Sequence, residues 1–248
     1  MSMSRRTLLQ TSAAAAAIPA FPGLARADNP AEAASKLLEQ ITEQILNTYP
    51  ESASSSGIDT DNRKRLKSKL GNRSPEGQTK IKQDVRKTLD KLKAVDTASL
   101  PADQALNIDV VRTVYEMTAE GFEFSYGDVA LLNSNWSYRN SPYSVSQNTG
   151  AFIEIPSFLD SSHSVETKDD AEAYLSRMSA YAGQLDGESE RVRAEGEQGV
   201  ILPDFLMAKT LGQLRGARAT PVEEWGIVSS LAKRAAQPAG QLPEPFFQ

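Results

Sequence analysis

The chain has 248 residues, a formal net charge of -5, no cysteine and one histidine. Without cysteine it can form no disulfide, iron–sulfur cluster or thiolate zinc site, and one histidine makes a catalytic zinc set of three protein ligands hard to assemble. An apolar content of 40% is ordinary for a folded domain, and the length suits one domain or two small ones.

The first residues, MSMSRRTLLQTSAAAAAIPAFPGLARAD, combine a positive start, a mildly apolar run and a small-x-small end at Ala25-Arg26-Ala27. That is the plan of an export signal, so residues 1–27 are set apart from the fold. Arg5 and Arg6, within Ser4-Arg5-Arg6-Thr7-Leu8-Leu9-Gln10, fit a twin-arginine signal with Leu8 and Gln10 as departures from the pattern. The expectation is therefore a periplasmic or otherwise exported protein. The apolar run is mostly alanine and is interrupted by Pro19, which makes a stable membrane span unexpected.

The predicted helical domain covers 28–236, with a tail at 237–248. Asn29-Pro30-Ala31-Glu32 predicts a first helix, with Asn29 as cap, Pro30 at the first position and Glu32 reaching back. Its apolar face is Leu37, Leu38, Ile41, Ile45 and Leu46, and Tyr49-Pro50 ends it. Ser74-Pro75 opens a second helix through about Lys93. Between Arg63 and Lys93 stand twelve Lys or Arg residues. No aromatic side chain interleaves them, and Ile81, Val85, Leu89 and Leu92 lie opposite, so this run is expected to be a solvated helix face with no nucleic-acid partner.

Pro101 opens a third helix. Its apolar residues Leu106, Ile108, Val110, Val111, Val114, Met117 and Phe122 go round more than one side, predicting a central position. From about 125 to 165 the periodicity fails and a long irregular region is expected, with at most a short extended piece at Ala151–Ile155. Thr167-Lys168-Asp169-Asp170 then caps a long helix, stopped by Gly196 and Gly199. Further helices are predicted after Pro203 and from Thr220-Pro221. The predicted fold class is all-α.

No complete catalytic constellation is present. Gly187-Glu188-Ser189 lacks the second glycine of a nucleophile elbow, and Ser230-Leu231-Ala232-Lys233 lacks the partners of a Ser-Lys hydrolase. Asp59-Thr60-Asp61 begins like a calcium loop, but Arg63 and Arg65 stand where an oxygen ligand and a glycine are needed. His163 is expected to anchor a loop or face solvent. What remains is an aromatic cluster in the irregular region. Trp136, Tyr138, Tyr143 and Gln147 are candidates for binding a small molecule or peptide, or for gluing the loop to the helices.

TYPESASSSGID (Thr48 to Asp59), the run from Pro142 to Tyr181, GVILPDFLMAKTLGQL (Gly199 to Leu214) and VEEWGIVSSLAKR (Val222 to Arg234) together resemble the bacterial DUF885 family of exported proteins. The resemblance implies a large, mainly helical fold related to gluzincin metallopeptidases, in members about twice this length. It also implies zinc in those members, held by a histidine-rich motif in a carboxy-terminal half that has no counterpart here. No cofactor is therefore assigned to this chain, and its catalytic residues stay unassigned. Two functions follow: an amino-terminal half, inactive alone, whose partner is a missing carboxy-terminal half; or a self-sufficient exported module that binds through the aromatic loop.

Overall fold

The computed structural model describes residues 29–129, 131 and 141–236. Eight α-helices occur among them: α1 (Pro30–Thr48), α2 (Pro50–Ser55), α3 (Pro75–Lys93), α4 (Ala102–Gly121), α5 (Ala151–Ser161), α6 (Lys168–Glu197), α7 (Asp204–Ala219) and α8 (Gly226–Ala235). No strand occurs among the described residues, only isolated bridges at Asp128–Ser141 and Ser146–Thr149. The all-α class is as the periodicity predicts.

The starts are set by local chemistry. Asn29 accepts from the Ala31 N–H, Ser74 from Gly77, and Thr167 closes a reciprocal capping box with Asp170. Proline stands in the first turn of α1, α2 and α3, where its missing N–H removes no bond. Glu32 pairs with Lys36, one turn on.

Two apolar cores result. Ile41, Ile81, Val85, Leu89, Leu92, Ile108 and Tyr115 join α1, α3 and α4. Ile155, Phe158, Leu159, Tyr174, Ile227 and Leu231 join α5, α6 and α8. A small cluster of Leu46, Ala53 and Leu66 is buried beside α2. Where α6 passes the start of α3, Gly187 is needed, since a Cβ there would lie 2.8 Å from the Ser74 Cα.

Several expectations are corrected. The irregular region of 125–165 is interrupted by α5, and Ala151–Ile155 is helical rather than extended. Ala151, Ile155, Phe158 and Leu159 are spaced to bury one helical face, and that tertiary burial prevails over their strand propensity and over Pro156 within the helix. Helix α4 is not central. Ile108 and Tyr115 are buried, but Leu106 and Met117 are each 63% exposed, with Val110 and Val114 exposed between them. Gly196 does not stop α6, which runs to Glu197, and the chain turns at Gly199 with a φ of 81°. Thr220-Pro221 leads into a 3-10 turn at 222–224, and α8 starts only after Trp225.

Candidate functional site

The buried chemistry of the molecule lies along one stripe of α6. Asp170, Arg177, Gln184, Glu188, Arg191 and Glu195 are all buried, although five of the six are ionisable. They recur at intervals of seven, four and three, the spacing that keeps residues on one side of a helix. Each holds a loop.

At the amino-terminal end, the Asp170 carboxylate accepts from the Thr167 and Glu166 N–H groups at 2.9 and 3.1 Å and from Lys67 Nζ at 2.6 Å. Burial pushes its pKa up, but these hydrogen bonds outweigh it and hold the group at about 2. Two turns on, the Arg177 side chain is 0% exposed. It donates to the Lys69 carbonyl at 2.9 Å, to Ser54 Oγ at 2.8 Å, to the Leu66 carbonyl at 3.2 Å and to His163 Nδ1 at 2.7 Å. Its guanidinium also lies 4.8 Å from the centroid of the Phe158 ring. Burial lowers its pKa to about 10, against the pull of Glu51 and Asp59.

His163 is buried, so the solvent-facing alternative is excluded and the loop-anchoring one holds. A guanidinium can only donate, so Nδ1 accepts and the ring proton sits on Nε2, which donates to the Asp170 carbonyl at 2.9 Å. Burial lowers the imidazole pKa to about 4, helped by the nearby Arg177, Lys67 and Arg234 and opposed by the Asp170 bond. A neutral ring with one nitrogen on a carbonyl and the other against a guanidinium does not fit a zinc ligand. Among the described residues, no group of three or more His, Cys, Asp or Glu side chains is placed to hold a metal.

Further along the stripe, Gln184 donates to the Gly71 carbonyl at 2.7 Å and to Glu51 at 3.3 Å. Glu188 accepts the Ala151 N–H at 2.8 Å, capping α5, and the Arg73 guanidinium at 2.9 Å, while Arg73 also reaches Glu154 at 2.5 Å. Burial raises the Glu188 pKa, with Arg73 pulling the other way. Arg191 binds the Gly127 carbonyl and the Asp128 carboxylate at 2.8 and 2.6 Å. Glu195 takes the Gly127 N–H at 3.0 Å and the Ser144 hydroxyl.

The basic run of 63–93 is thus only partly a solvated face. Lys67 and Arg73 are turned inward to carboxylates of α5 and α6, and Arg63 binds Glu43 of α1. Of the predicted ligand residues, Tyr143 and Gln147 are half-buried on the loop that Glu195 pins. The Gln147 carbonyl accepts from Gln213 of α7 at 3.2 Å. Trp136 and Tyr138, like Arg5 and Arg6, lie outside the described residues. Ser230 donates to Asp160 at 2.6 Å and Ser189 to the Leu185 carbonyl of its own helix, so neither hydroxyl is bonded to a histidine or lysine. Sequence reasoning missed the α6 stripe, although polar residues at 170, 177, 184 and 191, with 188 and 195 beside them, were its signal.

Two depressions flank these loops. One, of about 240 Å³, lies between α3 and α6 and is lined by Lys82, Phe122, Tyr126 and Glu195 among others. The other, of about 430 Å³, lies between the end of α1 and the start of α3.

Residues 50–244 match the family described as "Bacterial protein of unknown function (DUF885)". The chain belongs to that family. No curated protein matches it. Its fold is similar to that of a putative lipoprotein from Colwellia psychrerythraea, seen in a crystal structure, with a TM-score of 0.74 at 17% sequence identity. The likeness covers 88% of this chain and 36% of that one. The DUF885 chain therefore spans little more than a third of that protein, and no helix among its described residues is long and apolar enough to cross a membrane.

Proposed function

We propose that this chain is the amino-terminal, loop-positioning half of a larger exported hydrolase-like protein, and that it has no hydrolase activity by itself. The observation that carries the reading is α7. This helix has 16 residues and buries only Thr210, while Phe205, Leu211 and Leu214 stand exposed. An isolated helix of about 15 residues is marginal in water, and most helical stability comes from packing an apolar face. The open side of α4 points the same way. A further helical half laid against α4 and α7 would cover both, and the larger size of the Colwellia protein is in keeping with that.

On this reading the α6 stripe sets the loops at 66–73 and 127–151 on a rigid support, and the missing half supplies a zinc site of the kind expected for gluzincin relatives. Export fits a chain with a structural neighbour described as a lipoprotein, and the Arg5-Arg6 pair supports the twin-arginine route.

The test uses the chain freed of residues 1–27, stripped with chelator and returned to zinc. The expected result is no stoichiometric metal, no peptide cleavage, rapid amide exchange along α7 and self-association in sedimentation. Turnover that is lost on chelation would refute the inactive-half reading. A monomer with a protected α7 that binds no apolar dye would refute the uncovered face.

A further inference from the structure

Tyr115 is a buried phenol with an unusual deficit. The residue is 1% exposed, yet its hydroxyl has no hydrogen-bond partner among the described residues. Buried hydroxyls without partners are disfavoured and rare enough that each calls for an occupant or a compensation. The residue borders a chamber of about 10 Å³, room for about one water-sized group. That chamber shares Gln44, Thr48, Ile81 and Asp84 with the groove of about 430 Å³ between α1 and α3. The groove and the chamber thus adjoin across these four residues, and the chamber is walled mainly by Ile45, Ile81, Val85 and Leu131, with Asp84 and Tyr115 among its few polar groups.

Its walls have a definite chemistry. Leu70 and Ile81 give an apolar strip, Asn47 and Asn72 give amides, and Glu76 and Asp84 give two carboxylates. Lys80 is the one cation on the lining, and it is 75% exposed in a one-turn pair with Asp84. Such an exposed one-turn pair contributes little and is screened by solvent, so it yields easily to a better-placed cation. The shape is fixed by close backbone approach. A Cβ on Gly71 would lie 3.1 Å from the Thr48 carbonyl oxygen, and one on Gly77 2.4 Å from the Asn72 carbonyl oxygen. Burial raises the Tyr115 pKa to about 12, and the nearby Asp84 carboxylate adds to the rise, so the phenol keeps its proton.

We infer that this groove binds a primary ammonium group on a short apolar stem, such as an alkylamine or a lysine side chain. An ammonium is water-sized and offers three donors. Asp84 neutralises it, Tyr115 Oη accepts from it, and the stem lies along Leu70 and Ile81.

The probes are n-pentylamine, Nα-acetyl-lysine methylamide, 1-pentanol and pentanoate, titrated into the chain freed of residues 1–27. Binding is read by calorimetry and by NMR shifts of the Leu70 and Ile81 methyls and the Tyr115 ring. The two amines are expected to saturate in the millimolar range, with pentanol and pentanoate at least about ten-fold weaker. Asp84→Asn should weaken the amines by about ten-fold, and Tyr115→Phe, which retains the ring, by a few-fold. Pentylamine alone binding assigns a free amine, whereas both amines binding assigns a side chain or a free amine. No saturation by about 20 mM, equal binding of pentanol, or shifts confined to residues outside the groove overturns the inference. The NMR readout stands even if Asp84→Asn does not fold.

Discussion

Helices α6 and α7 are neighbours in the chain and opposites in what they bury. Helix α6 turns Asp170, Arg177, Gln184, Glu188, Arg191 and Glu195 into the protein, whereas α7 leaves Phe205, Leu211 and Leu214 in water. The usual rule is reversed twice, and for different reasons. Buried charges persist on α6 because each has fixed partners, chiefly backbone groups of loops that have no ladder of their own. Exposed apolar residues on α7 have no partner among the described residues that would remove them from water. The first helix is complete as it stands, and the second, on the proposed reading, is an interface.

The comparison is sharpest at Arg177. Replacing it by methionine keeps most of the volume but leaves the Lys69 and Leu66 carbonyls, Ser54 and His163 without their donor. Each buried acceptor left without a donor costs about 1–3 kcal/mol, and relief from burying the guanidinium offsets part of this, so a net destabilisation of about 2–5 kcal/mol is expected. Urea unfolding of Arg177→Met measures this. A change under about 1 kcal/mol would show that the α6 stripe is not what orders the loops.

His163 tests the same network through pH. Its pKa is about 4 folded, against a usual 6.5. Between those values the unfolded chain binds a proton that the folded chain refuses, so stability rises with pH. The stabilisation is full above about pH 6.5 and is lost as pH falls to about 4, amounting to roughly 3 kcal/mol at 1.36 kcal/mol per pH unit. Asp170, held at about 2, adds a loss of the same sign below the ordinary carboxylate range, and Glu188, pushed upward, opposes it. Melts of the wild type and His163→Gln at pH 7 and pH 4.5 separate these. Glutamine can accept from Arg177 and donate to the Asp170 carbonyl, so the variant should lose much less stability on acidification.

Glu188→Gln should have a smaller effect. The amide oxygen can still cap the Ala151 N–H, but Arg73 keeps only Glu154 as a charged partner. About 1–3 kcal/mol is expected, partly offset because burial already disfavours the Glu188 charge. Amide exchange at Ala151 is the measurement, since Glu188 holds that N–H while Glu154 reaches back only to the Gly150 N–H.

These contrasts mark what could be read from the sequence. Helix starts at Asn29, Ser74 and Thr167 were legible because capping is a local event between residues two or three apart. Helix α5 was not, since Gly150 and Pro156 resemble loop punctuation, and the cap on Ala151 comes from Glu188, far along the chain. The open side of α4 was misread for a related reason. Apolar residues on two sides of a helix show that both sides want cover, not that this chain covers them. Tyr143 and Gln147 were singled out as candidate ligand residues, but the Ser144–Glu195 bond that pins their loop joins residues no local rule connects.

The smallest expected effect is at the exposed face of α7, and its smallness is the point. Leu211→Ser removes a large apolar side chain that is 39% exposed, so folding should change by less than about 0.5 kcal/mol. The contrasting substitution is Leu231→Ala, in the core of α5, α6 and α8, where burial predicts a loss of about 2–5 kcal/mol. Both variants should be compared by chemical unfolding and by sedimentation over a range of concentrations. If α7 is an interface, Leu211→Ser lowers self-association while leaving the unfolding midpoint in place, because the serine matters only where a second surface meets it. If Leu211→Ser instead unfolds the protein as readily as Leu231→Ala, α7 is packed within the chain in solution and the contrast with α6 disappears.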